Sequence, residues 1–321
     1  MPKSEGQKVR RPEGNRPHKD TASAPLKQLS HKSESNKSSH LLPSRRDNDS
    51  ERRHSGNQAS KHSSTLNKAL SGHGPKDTVR LNKYIANAGI CSRREADKLI
   101  EAGSVKVNGL VVTQMGYQVK PGDVVSYGGE TLSTEAKRYF LMNKPKGYIT
   151  TVDDPQERKT VMMLIDGACR ERIYPVGRLD RNTTGLLLFT NDGELARKLT
   201  HPSTMVYKVY QVELNKAVTR EDMKKMLEGI ELEDGPIKVD DVQYAEGFND
   251  KRIVGVALHS GRNRIVRRIF EHLGYEVHKL DRVIFAGLTK KDLPRGRYRE
   301  LSDKEIGFLK MIYACIVGDE R

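Results

Sequence analysis

The chain predicts an α+β protein: a small helix, helix, hairpin module, then a larger domain with a mixed, mainly antiparallel sheet and flanking helices. Three observations predict it. Residues 78–129 set two short helical patterns before an Asn-Gly turn. From Arg138 onward, segments rich in branched and aromatic residues outnumber helical ones and often follow one another directly. Residues 1–77 contain no Phe, Tyr or Trp and show neither period.

That first segment holds 16 Lys and Arg against 8 Asp and Glu, about half of the chain's net charge of +15. Too little apolar surface is present to offset its ordering entropy, so it is expected to be disordered. Positive charge over both tail and body points to a polyanionic partner, nucleic acid first and anionic membrane second. No apolar run approaches the ~20 residues of a membrane-spanning helix, and no signal-peptide core is evident, so a cytoplasmic location is expected. Cys91, Cys169 and Cys315 are odd in number and far apart. They predict reduced thiols, neither a disulfide framework nor a metal site.

Ordered sequence begins near Thr78. Leu81, Tyr84, Ile85 and Ala88 have helical spacing, Gly89 stops that helix, and Ser92 with Glu95 three residues on forms a capping box for a second helix ending at Gly103. "VKVNGLVV" reads as two strands around an Asn-Gly turn, and "DVVSYGG" as a closing strand. Residues 130–137 are polar and patternless, a linker into a domain expected over 138–315. There "RYFLMNKP", "GLLLFTN", "MVYKVYQVEL", "IVGVALHS" and "EVHKLDRVIFAGL" read as strands, and "DGELARKLTH", "TREDMKKMLEGI" and "NRIVRRIFEHLG" as helices.

No phosphate-binding P-loop, dinucleotide fingerprint, zinc-protease helix or nucleophile elbow is present, so a side chain acting without an obvious cofactor is expected. Three stretches could supply it. Asp180 lies between Arg178 and Arg181 at the mouth of "GLLLF", where a fixed cation would keep a carboxylate ionised; an ion pair closing a turn is the plainer reading. "HSGRNRIVRRIFEHLG" brings Arg262, Arg264, Arg267 and Arg268 to a helix entry whose buried stripe is Val266, Ile269 and Phe270. These cations can face solvent, hold phosphate or pin a carboxylate. In "YKVYQVEL" strand alternation sends Lys208, Tyr210 and Val212 to one face, where Tyr210 is either core or a stacking surface for a displaced base.

The first module, through "RLNKYIANAGICSRREADKLIEAGSVKVNG" and "PGDVV", resembles the S4-type RNA-binding domain. The resemblance implies that Arg80, Lys83, Ser92, Arg93, Arg94 and Lys98 contact RNA backbone. From about Arg80 to the C-terminus the chain resembles the pseudouridine synthases of the RsuA family, which modify ribosomal RNA. The blocks that carry this are "NKPKGYITT", "GRLDRNTTGLLLFTNDGELARKLTHPS", "YKVYQVEL", "GRNRIVRRIFEHLGYEVHKLDRVIFAGL" and "LPRGRYREL". By that likeness Asp180 is the catalytic aspartate, Tyr210 the active-site tyrosine, Arg267 the basic partner of the aspartate, and Leu280 the apolar residue near the base. Arg178, Arg262 and Arg264 become candidates for holding substrate. Ile265 departs from the family, which usually has Gln there. The likeness further implies no cofactor and no metal, a monomer, and ribosomal RNA as partner, free or in a pre-ribosomal particle. The expected substrate is 23S rRNA; the alternatives are 16S rRNA, or a non-catalytic ribosome-assembly role.

Overall fold

The computed structural model describes residues 78–318, with side chains through Ile312; the expected disordered segment 1–77 lies outside the described residues. The first module runs β1 (Val79–Arg80), α1 (Leu81–Asn87), α2 (Arg93–Glu101), β2 (Val105–Val107), β3 (Leu110–Val111), β4 (Gln118–Val119), β5 (Val125–Tyr127) and β6 (Glu130–Thr131). The Ser92 hydroxyl accepts from the Glu95 amide while the Glu95 carboxylate accepts from the Ser92 amide, which completes the capping box that starts α2. Asn108 and Gly109 both take positive φ between β2 and β3, as the tight hairpin turn requires. The helices close over Leu81, Ile85, Ala96, Ile100, Val105, Val107 and Val125.

The linker expected over 130–137 begins later. Glu130 and Thr131 pair with Tyr127 and Ser126, and Leu132 is buried in the module's core. Their side chains are polar, so the hydrophobic pattern carried no sign of a strand held by backbone bonds alone.

The larger domain runs β7 (Tyr139–Lys144), α3 (Met162–Ile165), β8 (Tyr174–Val176), β9 (Thr184–Thr190), α4 (Gly193–Thr200), β10 (Lys208–Leu214), α5 (Arg220–Glu228), β11 (Ile230–Leu232), β12 (Gly235–Ile237), β13 (Asp241–Tyr244), β14 (Ile253–Leu258), α6 (Ile265–His272), β15 (Val277–Phe285), β16 (Leu288–Thr289), β17 (Tyr298–Glu300) and α7 (Asp303–Gly318). Its main sheet has the order β13-β14-β10-β15-β9-β7-β17, with β16 on β15 and β8 on β9. Every pairing in it is antiparallel except β15 with β9.

The central strands β7 and β9 are buried on both faces, which is why they carry the non-alternating apolar stretches Tyr139 to Met142 and Leu186 to Phe189. Leu141, Leu186 and Leu188 pack towards α4 and α7, whereas Met142, Leu187 and Phe189 pack towards Val161 and Ile165 on the other face. A third cluster joins α5 and α6 to β10, β13, β14 and β15. Each fully buried Leu, Ile or Phe in these layers contributes about 2 kcal/mol. Tyr210 touches both this cluster and the Met142 face. It therefore stands where two cores meet, at a natural place for a cleft.

Candidate active site

Asp180 sits in the loop from β8 to β9, and the segment after β7 holds that loop by its backbone. Lys144, fully buried at the end of β7, donates from Nζ to the carbonyls of Asp180 (3.1 Å), Thr183 (2.8 Å) and Pro145 (3.2 Å). Thr150 Oγ1 donates to Leu179 O and accepts from Leu179 N, and the Gly147 amide donates to Arg181 O. Burial pulls the Lys144 pKa down to about 8, with the Asp180 charge opposing the shift. "NKPKGYITT" is thus the cradle of the "GRLDRNTT" loop, and none of its residues had been expected at the site. Its signal was the polar pair Asn143-Lys144 directly after an apolar run.

Beyond the loop, β9 meets β15. Gly185 has φ +107°, and a Cβ there would come within 2.3 Å of the Arg282 carbonyl. Only glycine permits this parallel contact. Thr184 Oγ1 fastens it by donating to Asp281 Oδ1 at 2.8 Å and to Leu280 O at 3.3 Å. Asp281 in turn receives Lys290 and, at 3.2 Å, Arg295. Leu280 is by this means fixed beside the Asp180 loop.

A cleft of about 510 Å³ opens there, lined by Asp180, Tyr210, Leu280, Arg178, Arg262 and Arg264, among others. Sequence positions a hundred residues apart therefore converge on one concave site. Tyr210 comes from β10, between Val256 of β14 and Arg282 of β15, with a register shift at Val209/Tyr210. The extra residue at that shift, Val283, belongs to β15, and β10 keeps its alternation: Tyr210 packs with Val212 and Leu214 against the third cluster and, half-buried, also reaches the cleft. The cleft also takes in Lys208, His259 and Arg282, which had not been expected. Lys208 Nζ donates to the Val206 and His259 carbonyls; burial, helped by the nearby Arg282 charge, lowers its pKa to about 8. Arg282 is buried, donates from Nε to Leu186 O and lies over the Phe285 ring.

The four cations of the α6 entry part company. Arg264, in the left-handed region at φ 49°, is the nearest to Asp180, with Nη1 3.9 Å from Oδ2. Arg267, expected beside the aspartate, makes no ion pair with it within 4 Å. It is buried behind the cleft wall and donates from Nη1 to Val277 O at 3.1 Å, while its Nε has no hydrogen-bond partner. Its charge still senses Asp180, although burial and Arg264 together lower its pKa. The reason is helical geometry: Ile265, Val266, Ile269 and Phe270 are all buried, so the stripe is wide enough to carry Arg267 in with it. Arg262 reaches the cleft wall, but its guanidinium is taken up by the Asp234, Gly235 and Pro236 carbonyls of the β11–β12 turn. Arg268 holds the Asp234 carboxylate in two bonds of 2.8 and 2.5 Å. Arg178 is exposed at the rim. Ile265 is buried and lines the cleft, so an apolar wall stands where a polar side chain was in question.

The remaining expected residues lie in the first module, outside the cleft lining. Arg80, Arg93, Arg94 and Lys98 are exposed. Lys83 donates to Glu194 of α4 at 2.6 Å, and the Ser92 hydroxyl caps α2, so each already has an internal partner. Among the described residues, no group of three or more His, Cys, Asp or Glu side chains is placed to hold a metal ion.

Residues 138–272 match the family model for RNA pseudouridylate synthase, and residues 79–125 that for the S4 domain. The chain is 40% identical to an uncharacterized RNA pseudouridine synthase of Aquifex aeolicus, over 72% of this chain and 93% of that one. It is 41% identical to ribosomal large subunit pseudouridine synthase B of Bacillus subtilis, over 73% of this chain and 96% of that one. Among solved structures, a crystal structure of pseudouridylate synthase matches with TM-score 0.52 and 31% identity, over 72% of this chain and 99% of that chain.

Proposed function

We propose that this chain, which belongs to the RNA pseudouridine synthases and isomerises uridine in RNA, acts on large-subunit ribosomal RNA with Asp180 as its catalytic group. The observation that carries the catalytic assignment is the convergence of Asp180, Tyr210, Leu280 and Arg264 on one cleft. The names of the relatives, one of them a large-subunit enzyme, support the substrate.

The reaction breaks the bond from ribose C1′ to N1 of uracil and makes one from C1′ to C5. C5 gives up a proton and N1 gains one, so nothing is added and nothing is oxidised. The uridine has to leave its stack to reach a carboxylate inside a cleft, at a cost of about a few kcal/mol. Asp180 then acts as nucleophile or takes the ribose 2′ proton. Arg264 is the cation nearest to its carboxylate, and Arg267 adds positive potential from behind the wall. Tyr210 offers a ring face to the base and a hydroxyl for proton transfer, while Leu280 and Ile265 keep the base side dry.

In this reading residues 78–129 hold RNA and residues 138–315 carry the chemistry. The basic segment 1–77 adds weak, salt-sensitive contact. The protein works as a monomer in the cytoplasm, on ribosomal RNA free or in a precursor particle; among the described residues no helix is long and apolar enough to cross a membrane. Mapping pseudouridines on both rRNAs in a deletion strain tests the substrate. Loss of one large-subunit position is expected; loss from 16S rRNA alone, or no loss at all, would overturn it.

A further inference from the structure

Among the described residues eleven large apolar side chains are exposed, and of these Met205 alone lines the cleft. It is 60% exposed and ends a short turn, Pro202–Thr204, that follows α4. Its backbone is left-handed, at φ 46° and ψ 43°, a region that non-glycine residues rarely occupy. The neighbours on both sides explain how the position is held: Thr204 and Val206 are buried, and the Ser203 amide is tied to His201 Nδ1. An unbranched, flexible apolar side chain is thus carried outward on an anchored support, beside a cleft that also presents Arg178 and Arg264.

Burial for stability does not account for a side chain in that place. A methionine there has a use once a nucleotide has turned inward, because the vacated stack leaves two base faces in water. Apolar side chains are what proteins insert between base steps to cover such faces. We propose that Met205 is the wedge that fills the gap left in an RNA stack when the target uridine turns into the Asp180 cleft. The proposal rests on the RNA-modifying reading above. It makes Met205 a positioning residue, acting on the RNA around the uridine and not on the reacting atoms.

A double comparison tests it. The full-length chain and its Met205→Ala and Met205→Leu variants are assayed on a hairpin RNA carrying the mapped uridine. The same assay is run on a hairpin in which the base stacked on that uridine is replaced by an abasic residue, so that the stack is already broken. The Met205→Ala defect in kcat/KM is expected to be about tenfold larger on the intact hairpin than on the abasic one, with Met205→Leu restoring at least a third of the intact-hairpin rate. A fluorescence readout removes chemistry altogether. In an Asp180→Asn background, a 2-aminopurine next to the uridine should brighten on binding, and Met205→Ala should lose most of that change. Equal defects on both hairpins, or undiminished brightening, would overturn the wedge. If the unaltered chain forms pseudouridine on neither hairpin, the substrate assignment fails and this inference falls with it.

Discussion

Two groups of arginines in this molecule have the same charge and opposite fates. Arg93 and Arg94 stand exposed at the start of α2, and the one side-chain bond between them is a 3.5 Å contact from Arg93 to Asn82. Arg262, Arg267 and Arg268, at the start of α6, are spent on the protein itself, on the β11–β12 turn and on Val277 O. The difference lies in what each helix has beside it. α2 buries only Ala96 and Ile100 and offers its cations to water, whereas α6 buries five residues and runs past a hairpin turn with open carbonyls. In the proposed reading, cations of the first kind would meet RNA backbone, whereas those of the second kind hold the wall of the cleft.

That division predicts distinct losses. The largest belongs to Asp180 itself: Asp180→Asn should reduce pseudouridine formation by at least about 10³-fold. Thermal melting should hardly move, because the carboxylate's nearest cation is 3.9 Å away and its loop is held by carbonyls. Residual product above that level in a purified assay would remove it from the chemistry. Next comes a buried cation. Lys144→Met should cost about 3 kcal/mol of stability by leaving carbonyls unpaired, and about 10² in kcat by letting the loop shift. Denaturant unfolding and single-turnover rates measure the two parts. The exposed pair should behave otherwise. Arg93→Ala with Arg94→Ala should raise KM about tenfold at unchanged kcat and flatten the log–log salt dependence of binding by about 1.4 to 1.8. A drop in melting temperature comparable to that of Lys144→Met would break the comparison.

The smallest effect concerns Lys208. Burial lowers its pKa to about 8 from 10.5, so the folded state releases this proton before the unfolded state does. Unfolding therefore takes up a proton between those values, and the lysine's contribution to stability rises with pH across that window and is level below it. The stability difference between the wild type and Lys208→Met, followed by denaturant titration from pH 7 to about 10, should show that rise. A flat difference would show that the amine is better solvated than its surroundings suggest.

Much of this was legible in the sequence, and for identifiable reasons. The Ser92 capping box, the Asn108-Gly109 turn, the apolar runs of β7 and β9 and the stripe of α6 are local patterns that local forces produce. Tyr210 and Leu280 could be placed beside Asp180 only through likeness to a family, since nothing in their spacing brings them together. Hidden from pattern were features made by backbone groups distant in the chain. The "LEDGPIK" hairpin that absorbs Arg262 is too short and too rich in turn residues to read as strands. The Lys144 cage depends on where three carbonyls end up, and α7 lies beyond the family blocks. That Arg267 bonds to Val277 O and makes no ion pair within 4 Å of Asp180 was hidden for a related reason: helical spacing says which residues share a face, not which carbonyl a guanidinium will find.

The Lys144 cage has a practical corollary. It grips the Asp180 loop by carbonyl oxygens, which every amino acid possesses, and sends no hydrogen bond to the side chain at position 180. The loop is a socket and the aspartate a fitting. A cysteine installed there would inherit the same orientation toward incoming RNA, and its thiolate could attack an activated disulfide carried at the reacting sugar of a nucleotide, forming the mixed disulfide and releasing the leaving thiol. The same cradle would then serve to trap an RNA complex for structural work.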